Sequence, residues 1–272
     1  KMYREEDLID VWFDSGSMPY AQMHYPVRIQ ESEFRKFFPA DFIAEGVDQT
    51  RGWFFTLHAI AVMLFDSVAF KNIISNGLIL DKKGNKMSKR LDNAVDPIKT
   101  IEKYGSDPLR WYMISNAQTW DNLKLDIDGV DEVKRNILGT LYNTYSFFAL
   151  YANVDGFVYE EDEIQTNQRP EIDRWIISLL NSLIKNTGQA YENYEPTKAA
   201  REVQDFVIEN LSNWYVRLNR KRFWGGEYND EKIAAYQTLY YCLLTVSKLM
   251  SPIAPFYADK VYTDLVSATG RE

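Results

Sequence analysis

The run Lys86-Met87-Ser88-Lys89-Arg90 closes a stretch, Asp81 to Arg90, that holds five basic residues and one acid. It follows Ile73-Ile74-Ser75-Asn76-Gly77-Leu78-Ile79-Leu80, which reads as an apolar strand, and Asp81-Lys82-Lys83-Gly84-Asn85, which reads as a turn. A cationic loop at a strand end suits contact with a polyanion such as a triphosphate. Lysine offers a compact charge with three rotatable donors, useful where phosphate oxygens move during reaction. The same composition also describes a solvated hairpin tip, and Lys82 and Lys83 read as plain solvated charges. A second group, Glu45-Gly46-Val47-Asp48-Gln49, ends another apolar run from Asp41. A carboxylate such as Asp48 can accept from two donors at once. Gly46 lets backbone approach closely, and Gln49 offers both a donor and an acceptor. Asp48 reads equally as an N-cap for the helix that follows. A third group joins Arg217, Arg220, Lys221 and Arg222 to Trp214, Phe223 and Trp224. It suits phosphate contact with base stacking, or a basic helix C-terminus with its aromatics in the core.

The elements that must position these groups follow from hydrophobic spacing. Asp41 to Gly46 predicts a buried strand, Thr50 to Phe65 a helix and Ile73 to Leu80 a second strand, together one parallel βαβ unit. Ligands in such sheets sit beyond the carboxyl ends of the strands, where both the Glu45–Gln49 and the Lys82–Arg90 loops would lie. Asp96-Pro97 and Asp107-Pro108 each predict a helix start with an Asp cap and Pro at the first helical position, and Gly105 separates them. From Gly129 onward the pattern predicts an antiparallel bundle of four amphipathic helices. Their apolar residues run from Val130 to Phe148, Ile172 to Ile184, Val203 to Leu218 and Ile233 to Met250. The polar stretch 155–169 is the only long connection among them.

The bulk numbers set limits. A chain of 272 residues with 46% hydrophobic and 15% aromatic residues has ample material for a core. A net charge of −8 argues against a general nucleic-acid coat and leaves room for a local basic face. With one cysteine, Cys242, and two histidines, His24 and His58, neither a disulfide nor a Cys- or His-rich zinc site is expected. No apolar run reaches the length of a membrane span. These features suggest an intracellular protein. The residues from Asp7 to Gly16 read as the middle of a longer chain.

Four segments occur in order: Asp10-Val11-Trp12-Phe13-Asp14-Ser15-Gly16-Ser17, Phe38-Pro39-Ala40-Asp41, Glu45-Gly46-Val47-Asp48-Gln49-Thr50-Arg51-Gly52-Trp53-Phe54 and Lys86 to Arg90. With them the chain resembles the isoleucyl branch of the class I aminoacyl-tRNA synthetases. The likeness continues through Asn213-Trp214-Tyr215-Val216-Arg217 to Phe223-Trp224 and so covers nearly the whole chain. It implies the second half of a Rossmann-type catalytic domain over 1–95, a linking region over 96–129 and a helical anticodon-binding domain over 130–272. The implied activity is activation of isoleucine by ATP, with Mg2+, and transfer to isoleucine tRNA in the cytoplasm by a monomeric parent protein.

By that resemblance Lys86, Ser88 and Lys89 act on the phosphates, with Lys89 also at the nucleotide, while Glu45, Gly46, Asp48 and Gln49 lie against the adenylate. Trp12 and Trp53 wall the amino-acid pocket, and Trp214, Arg217, Arg220, Lys221 and Arg222 meet the tRNA. No metal site is implied within the chain. Arg90 stands where many relatives have Ser. The family's His-x-Gly-His signature and its inserted editing domain are missing from this sequence, so the first half of the nucleotide fold is expected ahead of Lys1, and the piece alone is expected to be inactive. A valyl-type fragment, a non-catalytic tRNA-binding protein and a helical scaffold are the rival readings. The segment from Asp48 to Trp53 disfavours the first, the intact Lys86 to Lys89 the second and the first 90 residues the third.

Overall fold

The computed structural model describes residues 2–88, 90 and 93–271. They form two compact units, Lys1–Ile79 with Thr119–Asn122, and Leu80–Gln118 with Leu123–Glu272. Lys89, expected at the phosphates, lies outside the described residues.

In the smaller unit three short helices, α1 (Val11–Gly16), α2 (Met18–Ala21) and α3 (Glu31–Phe34), precede β1 (Ala40–Gly46), α4 (Trp53–Phe65) and β2 (Phe70–Asn76). β1 and β2 pair in parallel, with Ala40 opposite Phe70 and Gly46 opposite Asn76. A parallel pair needs a crossover, and α4 supplies it. Tyr20, Phe34, Phe38, Leu57, Ile60, Ala61 and Ala69 form the core. Rings pack within it, Tyr25 on Phe34 at 4.4 Å and Phe34 on Phe38 at 5.1 Å between centroids. The expected burial of the first strand is not found. In a two-stranded sheet both strands are edges, and Asp41, Phe42, Ala44 and Glu45 are exposed.

The second strand also stops sooner than its apolar run. β2 ends at Asn76, and the Gly77 N–H turns to the carbonyl of Thr119 at 2.9 Å. A methyl group on Gly77 would stand 2.0 Å from the Asp121 carbonyl oxygen. The Leu78 N–H donates to Asn122 Oδ1 at 2.8 Å. β3 (Ile79–Leu80) is therefore a separate strand, at which the chain passes from one unit to the other. The basic loop consequently leaves β3, not the parallel strand β2.

The larger unit is almost all helix: α5 (Pro97–Tyr104), α6 (Ser106–Ser115), a short β4 (Leu123–Lys124), α7 (Ile127–Val133), α8 (Gly139–Asp155), α9 (Glu171–Glu192), α10 (Pro196–Asp205), α11 (Arg217–Trp224), α12 (Asp230–Met250) and α13 (Pro255–Thr269). Wider π-type turns over Lys134–Leu138 and Phe206–Val216 carry α7 into α8 and α10 into α11. Asp96 caps α5 as its sequence predicts, accepting the Ile98 N–H at 2.9 Å. Asp107 does not cap α6, which already begins at Ser106. It is buried and accepts the Tyr257 N–H at 2.6 Å, tying α6 to α13. α13 itself goes beyond the four expected helices. Its buried Ala258, Val261 and Leu265 sit at helical spacing behind Pro255.

A broad aromatic and aliphatic core joins these helices. Phe157 stacks on Tyr236 at 4.9 Å, and Phe223 meets Tyr236 edge-on at 5.1 Å. Burial pushes the Cys242 thiol well above its ordinary range, which leaves it inert.

Candidate functional site

The candidate residues fall into three groups. The first belongs to the smaller unit and is built from α1, the end of β1 and the start of α4. Asp10 caps α1 by accepting the Trp12 N–H at 2.8 Å. Gly16 lets α1 lie against α4, since a methyl there would stand 2.9 Å from Ile60 Cδ1. Trp53, at the start of α4, holds the same helix, its indole Nε1–H donating to the Ser15 carbonyl at 3.0 Å. A methyl on Gly52 would meet Gln49 Oε1 at 2.8 Å and Trp12 Cη2 at 3.1 Å. Trp12, Gln49, Gly52 and Trp53 thus converge just past the carboxyl end of β1. Trp12 remains 48% exposed, so its ring offers an open apolar wall.

Asp48 does not cap the helix. No side chain caps the turn that begins at Val47. Gln49 performs the equivalent task for α4, its Oε1 accepting the Trp53 N–H at 3.0 Å, one of the amides a helix start leaves unpaired. Its Nε2 reaches Asp48 Oδ2 at 3.4 Å. Asp48 folds back over Gly46, where a methyl would come within 2.6 Å of Oδ1. Gly46 is therefore needed for the position of Asp48, and the exposed carboxylate is presented at the strand end. Glu45 is exposed beside it.

The second group is the basic loop of the larger unit. Gly84 takes φ +88°, which explains a glycine in the turn. Lys86 is exposed and bridges Leu80 in antiparallel fashion, and Arg90 is exposed. Lys82 is not a plain solvated charge, because it pairs with Asp126 at 2.8 Å and Asp128 at 3.2 Å at the start of α7. These hydrogen bonds raise its pKa and lower that of Asp126. Sequence reasoning missed Asp81 and Asn93. Asn93 accepts the Ser88 N–H at 2.9 Å, and Asn93 Nδ2 donates to Asp81 at 2.9 Å. The available signal was an acid and an amide bracketing the basic run.

The third group lies on α11 and the turns before it. Trp214, Arg217, Leu218, Lys221 and Trp224 recur at helical spacing and are all exposed, Trp214 at 57% and Trp224 at 53%. Arg220 is exposed alongside. Together they make a basic stripe interleaved with flat apolar rings. Arg222, expected with them, turns the other way. Its guanidinium grips buried Asp173 with both terminal nitrogens, at 2.7 and 2.8 Å, and donates to the Glu231 carbonyl at 2.7 Å. Its side chain is only 13% exposed. Tyr215 donates to the same carboxylate at 2.8 Å, and burial holds its hydroxyl far above the ordinary range. Phe223 is fully buried. Arg222 is thus a cross-brace between α9 and α11, and the charge free to meet a ligand belongs to Arg217, Arg220 and Lys221.

Among the described residues no group of three or more His, Cys, Asp or Glu side chains could hold a metal, and no helix is long and apolar enough to cross a membrane.

Comparison with known proteins places these groups in context. Residues 1–126 match the model of class I tRNA synthetases of the I, L, M and V group, and residues 173–271 match the anticodon-binding domain of tRNA ligases. The whole chain is 71% identical to part of the isoleucine–tRNA ligase of Bacteroides thetaiotaomicron, spanning 23% of that protein. It is 48% identical over 271 residues to the isoleucine–tRNA ligase of Thermus thermophilus, spanning 26% of it. The chain therefore covers about a quarter of the length of the curated relatives it matches. Among solved structures, the LeuRS of Agrobacterium radiobacter K84, in ternary complex with tRNA and LeuAMS, superposes over 96% of this chain and 32% of its own, with TM-score 0.75 and 19% identity. The methionyl-tRNA synthetase of Mycobacterium tuberculosis, in complex with methionyl-adenylate, does so over 92% and 48%, with TM-score 0.74 and 20% identity. At these identities the two likenesses speak to the fold.

Proposed function

Since this chain belongs to the class I tRNA synthetases of the group that includes the isoleucine enzyme, we propose that its parent protein activates isoleucine with ATP and transfers it to isoleucine tRNA. The observation that carries this reading is the 71% identity, over the entire chain, to part of an isoleucine–tRNA ligase. The geometry agrees with it. The parallel pair β1 and β2 with its crossover helix α4 is read as part of a Rossmann-type nucleotide-binding domain, whose ligands lie at the carboxyl ends of strands. There the exposed Asp48 accepts the ribose hydroxyls, Glu45, Gly46 and Gln49 line the adenylate, and Trp12 and Trp53 wall an apolar pocket for the side chain.

In the activation step the isoleucine carboxylate attacks the α-phosphorus of ATP, supplied with Mg2+ as substrate, and pyrophosphate leaves. Little covalent work falls to the protein, and charge growing on the leaving group must be neutralised. Lys86 and Lys89 supply that charge, with Ser88 as a further donor. By function we divide the chain into catalytic residues 1–95, a link over 96–129 and an anticodon-binding bundle over 130–272. Trp214, Arg217, Arg220 and Lys221 meet the tRNA, by stacking and by phosphate contact. The parent protein works as a cytoplasmic monomer, and this chain alone lacks the means to make adenylate at a useful rate.

The test is isoleucine-dependent exchange of pyrophosphate into ATP. The full-length parent protein is expected to catalyse it, Lys86→Ala to slow it by about 100-fold or more, and the 272-residue chain to show none. A parent protein without isoleucine-dependent exchange would overturn the reading.

A further inference from the structure

The basic loop is held by a clamp built, among the described residues, from the side chains of Asp81, Asn85 and Asn93. Asp81 stands at its root. Oδ1 of that carboxylate accepts the backbone N–H groups of Lys83 at 2.9 Å and Asn85 at 2.8 Å. Oδ2 accepts Asn93 Nδ2 at 2.9 Å and Asn85 Nδ2 at 3.3 Å. Asn93 uses its own Oδ1 to accept the Ser88 N–H at 2.9 Å, while its Nδ2 also reaches the Lys86 carbonyl at 3.3 Å. The Asp81 N–H donates to the Asn85 carbonyl at 2.8 Å and closes the turn. One carboxylate and one amide thus engage backbone on both sides of Met87.

The set of donors, led by the Asn85 N–H and followed by the Asn93 side chain, holds the Asp81 carboxyl down at about 2. It is therefore ionised throughout the neutral range and accepts at every position. A second anchor, Lys82 on Asp126 and Asp128, fixes the start of the same loop to α7. A flexible lysine-rich loop would lose conformational freedom on meeting a nucleotide, and a backbone ordered beforehand loses less. The clamp orders the backbone and leaves the Lys86 side chain exposed.

We propose that Asp81 and Asn93 are positioning residues, a carboxylate–amide clamp that shapes the Lys86–Met87–Ser88 backbone for the nucleotide step. The inference rests on the functional reading above. The decisive property is complementarity: Asp81 only accepts, and Asn93 must donate to it while accepting from Ser88. In the full-length parent protein, Asp81→Asn sets two amides against each other, and Asn93→Asp sets two carboxylates together. The double exchange, Asp81→Asn with Asn93→Asp, restores one donor and one acceptor.

Each single variant is expected to lower kcat for isoleucine-dependent pyrophosphate exchange by about tenfold or more, because small misplacements of charge are costly in such steps. Transfer from preformed isoleucyl-adenylate to tRNA stays within about twofold, and the double exchange recovers most of the lost kcat, as expected of coupled partners. Single variants within about twofold of the parent protein, or a double exchange no better than the singles, would overturn the proposal. A readout independent of activity is hydrogen exchange at the Ser88 amide. It is protected in the parent protein and loses protection in Asn93→Ala; unchanged protection would equally overturn the clamp. A parent protein without isoleucine-dependent exchange would instead refute the functional reading, and the Ser88 amide would still decide the clamp.

Discussion

The two units treat apolar surface in opposite ways. In the larger one, α6 and α8 to α13 enclose a continuous core in which Trp111, Tyr215, Tyr236 and Phe223 are completely buried. Even a completely buried charge there, Asp173, is matched by Arg222 and Tyr215. The smaller unit has a core of seven buried residues, while α4 leaves Phe55 64%, Met63 72% and Leu64 63% exposed, and Trp12, Phe13 and Phe42 are exposed as well. Its sheet has two strands, a number that is marginal without further packing. A helix apolar on all sides is suited to burial on all sides. The helical unit thus buries its apolar surface against itself, whereas the smaller unit leaves much of α4 uncovered.

The comparison predicts two separable unfolding transitions in denaturant, the smaller unit melting first. Asp173→Ala has the largest expected effect. It strands the buried guanidinium of Arg222 and the Tyr215 hydroxyl, at a cost of about 3–5 kcal/mol. Far-ultraviolet circular dichroism should show the later, helical transition moving to lower denaturant while the earlier one stays put. A single coincident transition in the parent chain would break the comparison. Gly77→Ala should act on the other unit, because its methyl must displace the Asp121 backbone. A cost of about 1–3 kcal/mol is expected, confined to the first transition.

The smallest effect concerns pH. The Asp81 carboxyl is held at about 2, below the ordinary aspartate value of 3.8. A depressed carboxyl contributes fully above its unconstrained value and loses that contribution as pH falls through the folded one. After correction for the intrinsic pH dependence of exchange, protection of the Ser88 amide should be flat from neutral pH down to about 4 and decline between about 4 and 2. A decline centred near pH 6 would assign the clamp to another group.

Much of this was legible in the chain because the signals are local. Asp96 before Pro97, the helical spacing of α8, α9 and α12, and the strand–helix–strand order all depend on residues within a few positions of one another. What escaped reading depends on distant partners. The strand broke at Gly77 because Asp121 occupies the space beside it. Arg222 turned inward because Asp173, 49 positions earlier, waits in the core. Gln49 took the helix-start role expected of Asp48 because the turn at Gly46 carries the carboxylate back over the glycine. The Asp81–Asn93 clamp joins residues 12 apart across the loop, with no periodicity to announce it.

One measurement addresses both the self-support of the helical unit and the RNA contact proposed for its basic stripe. The direct measurement is fluorescence anisotropy of the 272-residue chain with isoleucine tRNA and a non-cognate tRNA over a salt series, repeated with Arg217, Arg220 and Lys221 all changed to Ala. A clear preference for isoleucine tRNA is expected, with the triple variant binding both tRNAs more weakly and losing about 2 units of the logarithmic salt slope. Equal, salt-quenched binding of both tRNAs, or a triple variant that binds like the parent chain, would contradict it.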